Sequence, residues 1–463
     1  MHNSVWRQIT FDSFALHQWR EVSYLHRLLN PFRQWRQASW LLQRADEIGL
    51  VLAALIFALA PYVSTTLIGV LLIACASFWL LLTISDEAGK GLTPVHLAVI
   101  LYWGVMVLAT ALSPVKVAAI KGLIKLSLNL LLFLLMARTV RRPRLRTGLI
   151  AVYLLSALIV SVYGLRQWFF GAEALATWVD PTSSLAGTTR VYSYLGNPNL
   201  LAAYLIPAVM LSAAAVFAWP RWVPKLLAGV MVGVNTVCLM LTFSRGGWIG
   251  FVAAGFVLLV LFVYWWSIGF NSFWRRWALP AFIGGAAAFV VVAVLALEPL
   301  RSRVASIFVG RQDSSNNFRL NVWAAVIDMI RDRPILGIGP GNDAFNQVYP
   351  LYQRPRYTAL SAYSVFLETA VEAGLIGFCA FLWLLVVAVT QGLMQLRRLR
   401  QVADVQGYWL MAAIAAQTGL LTHGLVDTVW YRPQVSTLWW LTMAIIASYY
   451  VAGSPKAWKL KAE

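Results

Sequence analysis

The chain has 463 residues, 60% hydrophobic and 12% charged, with a formal net charge of +19. A soluble domain has about 25% charged and about 45–50% apolar residues, so these proportions exclude a soluble protein. The excess of basic residues invites nucleic acid as a partner. It gathers instead in short segments between apolar runs, as membrane topology requires, and no nucleic-acid role is expected.

Residues 1–46 form a leader in which Trp6, Phe11, Trp19, Trp35 and Trp40 are interspersed with Arg20, Arg27, Arg33 and Arg36. Aromatics beside cations suit the cytoplasmic headgroup layer, so short interfacial helices without chemistry are expected there. A leader this long and polar does not read as a cleavable signal. Twelve apolar runs follow, at 47–63, 65–84, 92–112, 117–137, 147–168, 199–219, 224–243, 246–266, 278–297, 363–390, 406–426 and 434–452. About 20 such residues, rising about 1.5 Å each, cross a hydrocarbon core of about 30 Å. Lipid offers no partner to backbone N–H and C=O groups, so each run is expected to be helical. Runs such as 128–136 lack the alternation of a membrane barrel strand. The expected fold is therefore an all-α polytopic membrane protein with about twelve transmembrane helices. Residues 47–297 supply nine of them, 298–362 a large structured outer loop, 363–452 the last three, and 453–463 a tail.

With the N-terminus in the cytoplasm, the inside segments are 1–46, 85–91, 138–146, 220–225, 267–277, 391–405 and 453–463. They hold more than half of the 37 Lys and Arg. Arg138, Arg141, Arg142, Arg144 and Arg146 crowd one short loop, and Arg397, Arg398 and Arg400 another. The pattern predicts an even number of spans with both termini cytoplasmic. Cys75, Cys238 and Cys379 fall inside apolar runs and read as small core residues, with no metal site implied.

Two outer connections interrupt the rhythm. Residues 169–198 run into the turn-rich YLGNPN at 194–199, and 298–362 are long enough to be functional. Within the latter, 317–330 has helical spacing, with Val322, Val326, Met329 and Ile330 on one side. Gly337, Gly339 and Gly341 around Pro340 predict a tight turn; no strand precedes them and no helix clearly follows, so they are not a dinucleotide fingerprint.

The outer face carries Arg245, Arg301, Arg303, Arg311, Arg319, Arg331, Arg333, Arg354 and Arg356, against the usual bias. Guanidinium grips oxyanions bidentately and stays protonated. The ligands this suggests are lipid diphosphate, sugar acids or bicarbonate. The plainer alternative is pairing with Glu298, Asp313, Asp328, Asp332 and Asp343, or with lipid phosphate. Arg245 lies in FSRGGW (243–248), where one span ends and the next begins. Gly246 and Gly247 let the chain turn there and leave amides open to an anion.

Ionisable residues within spans are costly and usually face a partner or a cavity. Lys121, Lys125 and Asn129 share one helix face, and Glu368 and Glu372 share another. The two faces are expected to approach each other or to line one cavity. A structural ion pair is the alternative. His423 and Asp427, four apart at an outer helix end, could perform acid–base work or form a satisfied interfacial pair.

FSRGGW, YLGNPN, and NNFRLNVW followed by RPILGIGPGN (316–342) resemble the O-antigen ligase and polymerase superfamily. More closely, FVGRQDSSNNFRLNVW, TALSAYS and LVDTVWYRP resemble the cyanobacterial proteins called inorganic carbon transporter B, over nearly the whole chain. The superfamily implies metal-independent transfer of a glycan from a polyprenyl diphosphate carrier on the outer face. In that family the outer arginines hold the diphosphate, and Arg245 and Arg319 match those positions. The family's proposed histidine base opens the tenth span, where this chain has Tyr363 followed by Ser364. A tyrosine, with an ordinary pKa of about 10, is a poor base near neutrality, so His423 and Asp427 are the other candidates. No cofactor is implied. The implied partners are membrane lipid and an anionic or lipid-linked substrate, in the plasma membrane or, given the cyanobacterial resemblance, the thylakoid membrane. The second name implies bicarbonate transport instead, although no inverted repeat is evident. A third class is a scaffold that docks a partner through the outer loop.

Overall fold

The computed structural model describes residues 2–11, 35, 38–85, 92–172, 189–296 and 314–451. Arg301, Arg303, Arg311, Glu298 and Asp313 lie outside the described residues, as do most of the leader and the tail. Among the described residues the regular elements are helical. The first is α1, His2–Ile9. After a single turn of helix at Trp40–Gln43, nine longer helices follow: α2, Ala45–Leu59; α3, Thr65–Ser85; α4, Pro94–Ala111; α5, Lys116–Thr139; α6, Pro143–Phe170; α7, Pro198–Ala218; α8, Trp222–Leu241; α9, Arg245–Trp266; and α10, Ser272–Ala296. Two loop helices follow, α11, Ser314–Asp332, and α12, Asn342–Val348. The last three are α13, Val365–Gln401; α14, Gly407–His423; and α15, Pro433–Ser448. A helix therefore stands at each of the twelve apolar runs. Eight (α3 to α9 and α13) are long and apolar enough to cross a membrane, and the chain is a multispan α-helical membrane protein.

The centre of the bundle is α7, packed between α8 and α14, with α9 against both α14 and α7. Alanines make this possible: Ala202, Ala203, Ala208, Ala214 and Ala215 are all fully buried in α7. Small residues let helix backbones approach closely where lipid offers no hydrophobic driving force between helices. One close approach is between α9 and α14, where a Cβ placed on Gly250 would lie 2.6 Å from the Gly419 carbonyl oxygen. Exposed stripes on the peripheral helices are apolar. Cys379, expected in the core, belongs to one of them: it is exposed on α13 together with Leu375, Leu382 and Val386. Spacings of four, three and four put these residues on one face. A further difference is that α13 runs on to Gln401, so part of the expected 391–405 loop is helix, with Gln391, Gln395 and Leu399 buried.

The two ends of the bundle are built differently. At the basic end, Asp46 at the start of α2 takes Arg142 at 3.0 Å and Arg138 at 3.6 Å. Buried Arg146 donates to Gln406 Oε1 at 2.8 Å and lies 3.8 Å from the Tyr449 ring centroid. Arg398 donates to the Tyr449 carbonyl, and Arg400 to Ser267 Oγ at 2.9 Å. The opposite end, here the loop end, carries the 189–199 segment, the 243–245 turn, the long segment 314–364 and residues 424–432.

The long segment is anchored by a break in α13. Gly374 has φ 63° and ψ −168°, outside the helical region. The backbone groups released there are met by the glycine turn. Ile338 N donates to the Val371 carbonyl at 2.9 Å and Gly339 N to that of Glu372 at 2.8 Å; Leu375 N donates to the Pro334 carbonyl at 2.7 Å. Gly337, Gly339 and Gly341 all have positive φ, and a Cβ on Gly341 would meet Gly122 Cα of α5 at 2.7 Å. The expected turn is thus a plug threaded between α5 and the broken α13. A helix does follow it directly, α12.

Candidate functional site

The site is assembled from three short stretches that meet at the loop end. The first is the start of α9. Ser244 caps it, its Oγ accepting from Gly247 N at 3.2 Å, and Phe243 before it adopts φ 49° to make the reversal. Arg245 is the first helical residue. A Cβ on Gly246 would lie 2.8 Å from both His423 Cδ2 and Val426 Cγ2, so the glycine lets the turn press on the end of α14.

The second stretch is the segment before α7. Asn197 caps that helix, its Oδ1 accepting from Asn199 N at 2.8 Å, with Pro198 as the first helical residue. The Asn199 Nδ2 donates to Asp427 Oδ2 at 2.7 Å. Upstream, Arg190 Nε donates to the Thr242 carbonyl at 3.0 Å and its Nη2 reaches Asn199 Oδ1 at 3.5 Å. Backbone Val191 N donates to the Leu241 carbonyl at 3.2 Å, and Gln167 of α6 accepts from Tyr192 N and Ser193 N. Arg190 is thereby pinned to the chain just before Arg245.

The third stretch is α11 with the chain after α14. The Arg319 Nε donates to the Val426 carbonyl at 2.8 Å, which directs its guanidinium to the same place. His423, Asp427, Tyr363 and Arg190 all lie within its electrostatic reach. Arg190, Arg245 and Arg319 therefore form one cluster. Burial, and then the charges of Arg245 and Arg319, lower the Arg190 pKa from its ordinary value. Burial raises the Asp427 carboxyl, with Arg319 and the Asn199 amide opposing it. Tyr363, with φ 48° just ahead of α13, has its phenol pushed up to about 12 by burial and by Asp427. It is a neutral hydroxyl near neutral pH.

The site residues expected from sequence separate clearly in space. Arg245, Arg319, His423, Asp427 and Tyr363 come together. His423 and Asp427 do not bond to each other: Asp427 takes Asn199, and the buried His423 has its Nδ1 without a partner. Glu368 lies below, its Oε2 accepting from Ala362 N at 2.6 Å and from Thr428 Oγ1 at 3.4 Å. Glu372 Oε1 accepts from Gly341 N at 2.6 Å. Lys125 is largely exposed and reaches Asp343 Oδ2 at 3.3 Å. The lysine and glutamate faces thus meet the same segment, 341–343, rather than each other, and Lys121 is exposed on α5. Arg331 and Arg354 both pair with Asp328, apart from the cluster. Arg311 lies outside the described residues. Among the described residues no group of three or more His, Cys, Asp or Glu is arranged to hold a metal ion.

Arg190 and Asn199 were not singled out as site residues. Asn199 closes the YLGNPN motif, so a signal existed for it; Arg190 stands in a stretch without pattern, and only the fold shows its neighbours.

A bundle of membrane-crossing helices with a cluster of arginines at one end defines the class: a polytopic membrane protein with a cationic site. The family model for O-antigen ligase matches residues 230–382, a stretch that holds Arg245, Arg319, the glycine plug, Tyr363 and both glutamates. The chain therefore carries an O-antigen-ligase-like region within its helical membrane bundle. No curated protein matches the chain.

Proposed function

We propose that the arginine cluster binds the diphosphate of a polyprenyl-diphosphate-linked glycan at the outer face of the membrane. The observation that carries this reading is the meeting of Arg190, Arg245 and Arg319 in one cluster, with Asp427 beside Arg319. A cluster of guanidiniums suits a multiply charged oxyanion such as a diphosphate. Buried or half-buried guanidiniums bind phosphate oxygens through charge-assisted, paired hydrogen bonds. The similarity of residues 230–382 to O-antigen ligase supports a lipid-linked glycan as the bearer of that diphosphate. On this reading the loop end faces outward and both termini are cytoplasmic, in the plasma membrane or the thylakoid membrane.

The chain either transfers the glycan or holds it without transferring it. For transfer, Tyr363, His423 and Asp427 are the acid–base candidates. Tyr363 is a poor base, because its phenol remains protonated near neutrality. The buried His423 ring, pressed against Gly246, is better suited to hold the turn that bears Arg245. Binding of a polyprenyl diphosphate sugar to the purified protein tests the assignment. Arg245→Ala and Arg319→Ala should each weaken it, and unchanged binding in both removes the site.

A second reading, bicarbonate transport, is supported by the resemblance of 308–323 to inorganic carbon transporter B. Uptake of labelled bicarbonate into liposomes above that of empty vesicles would favour it. A scaffold that docks a partner through the long loop is the third reading, and capture of that partner by the 314–364 segment is its test.

A further inference from the structure

Glu368 and Glu372 sit one turn apart on the first half of α13, before the break at Gly374, a spacing that places their Cβ atoms about 6 Å apart. Their partners are neutral donors: Ala362 N and the Thr428 hydroxyl for Glu368, and Gly341 N for Glu372. Among the described residues neither glutamate forms an ion pair. Among the described residues the surrounding elements supply no compensating cation. From α4 the Tyr102 phenol faces Glu372. After α14, Asp427 beside Thr428 is itself a carboxylate, and Arg319 next to it donates to Val426. From α5, Lys125 reaches Asp343. From the segment before α13 come backbone amides, with the Tyr363 phenol beside Ala362.

Two neighbouring carboxylates, one buried and one half-buried, are disfavoured as a doubly charged pair unless one is neutral or an ion is held between them. The hydrogen bonding of Glu368 shows where a proton fits. Its Oε2 accepts both bonds, while its Oε1 is buried and has no partner. That division suits a carboxylic acid, with one oxygen accepting and the other carrying O–H. Glu372 is half-buried, so the pair has a route to solvent.

We propose that Glu368 and Glu372 form a proton-binding pair, one carboxyl protonated and the other ionised, that ties pH to the hold of α13 on segments 334–341 and 362–364. The step is acid–base alone: a carboxylate oxygen takes H+ from water and forms one O–H bond. Loss of that proton leaves two like charges one turn apart and loosens the amides they hold. Because Glu368 grips Ala362 and Thr428, the neighbours of Tyr363 and Asp427, the pair also positions the floor of the arginine site. The proton assignment itself does not depend on which anion binds there.

The test uses the full chain in detergent. Hydrogen–deuterium exchange of the peptides covering 334–342 and 360–364 is followed against pH, after correction for the intrinsic rate. Protection is expected to be lost as pH rises in the parent protein and to become independent of pH in Glu368→Gln, a neutral isostere. A flat parent profile, or a variant that tracks the parent, overturns the proposal. Should Glu368→Gln not fold, infrared difference spectra of the parent with isotope-labelled glutamate decide: a protonated-carboxyl band persisting at neutral pH is expected, and its absence overturns the proposal. Added sodium at fixed pH should leave protection unchanged; a sodium-dependent gain would make this a metal-cation site and overturn the proton assignment. None of these readouts involves anion binding, so this inference and the proposed function fail separately.

Discussion

Arginines serve different ends at the two faces of this bundle. At the basic end, Arg138 and Arg142 close on Asp46, Arg146 on Gln406 and a tyrosine ring, and Arg398 and Arg400 on a carbonyl and a hydroxyl. Their partners come from the termini of neighbouring helices, so these charges staple the helix ends. At the loop end, Arg190, Arg245 and Arg319 are brought together by three separate segments, with Asp427 beside Arg319. Gathering like charges costs free energy, and a fold retains such a cost most readily where a ligand offsets it. Arg331 and Arg354 show that place alone does not decide: they too belong to the loop end, yet both rest on Asp328. The number of arginines on a face is uninformative; the partners of each one assign its use.

Substitutions can break or sharpen this contrast. The largest effect is expected for Arg319→Ala. A hydrogen bond to a charged group contributes about 1.5–3 kcal/mol, so affinity for a polyprenyl diphosphate should fall by roughly tenfold to a hundredfold in a lipid-binding titration. Asp46→Ala at the other end should do the reverse. It removes the carboxylate shared by Arg138 and Arg142 and, because Arg142 is half exposed, costs about 2 kcal/mol. A lower Tm with unchanged anion affinity is the expected result. Gly246→Ala should destabilise by about 1–2 kcal/mol, since the new methyl meets His423 and Val426. Anion affinity should fall with it as the Arg245 turn is displaced. Arg354→Ala should matter least: an exposed pair contributes below about 1 kcal/mol, and neither Tm nor anion affinity should move measurably. A fall in anion affinity for Arg354→Ala would merge the two classes of loop-end arginine.

Much of this architecture was legible in the sequence, because hydrocarbon imposes one secondary structure and a minimum length. The twelve apolar runs, the helical spacing of 317–330 and the glycine turn each correspond to an element. Arg245 was legible from its place in a reversal with two glycines. Other features were not. Cys379 was expected inside, but lipid and core accept the same side chains, so composition cannot tell the two faces of a membrane helix apart. The break at Gly374 is one glycine among many in apolar helices, and its role depends on a plug supplied by residues 334–341. Glu372 meets that plug and Lys125 meets Asp343 just after it, instead of each other, since a long loop can place its own acids and amides between two helices. Arg190 carries no local signal, and its meaning comes from a backbone pairing between Val191 and Leu241 that brings it to the start of α9.

The proposed preference of the arginine cluster is for a diphosphate. Its most direct test is the affinity of the purified chain for a polyprenyl diphosphate, measured beside the same lipid carrying a single phosphate. Saturable binding that is clearly tighter for the diphosphate is predicted. Equal affinity for the two lipids, or no saturable binding of either, would contradict it.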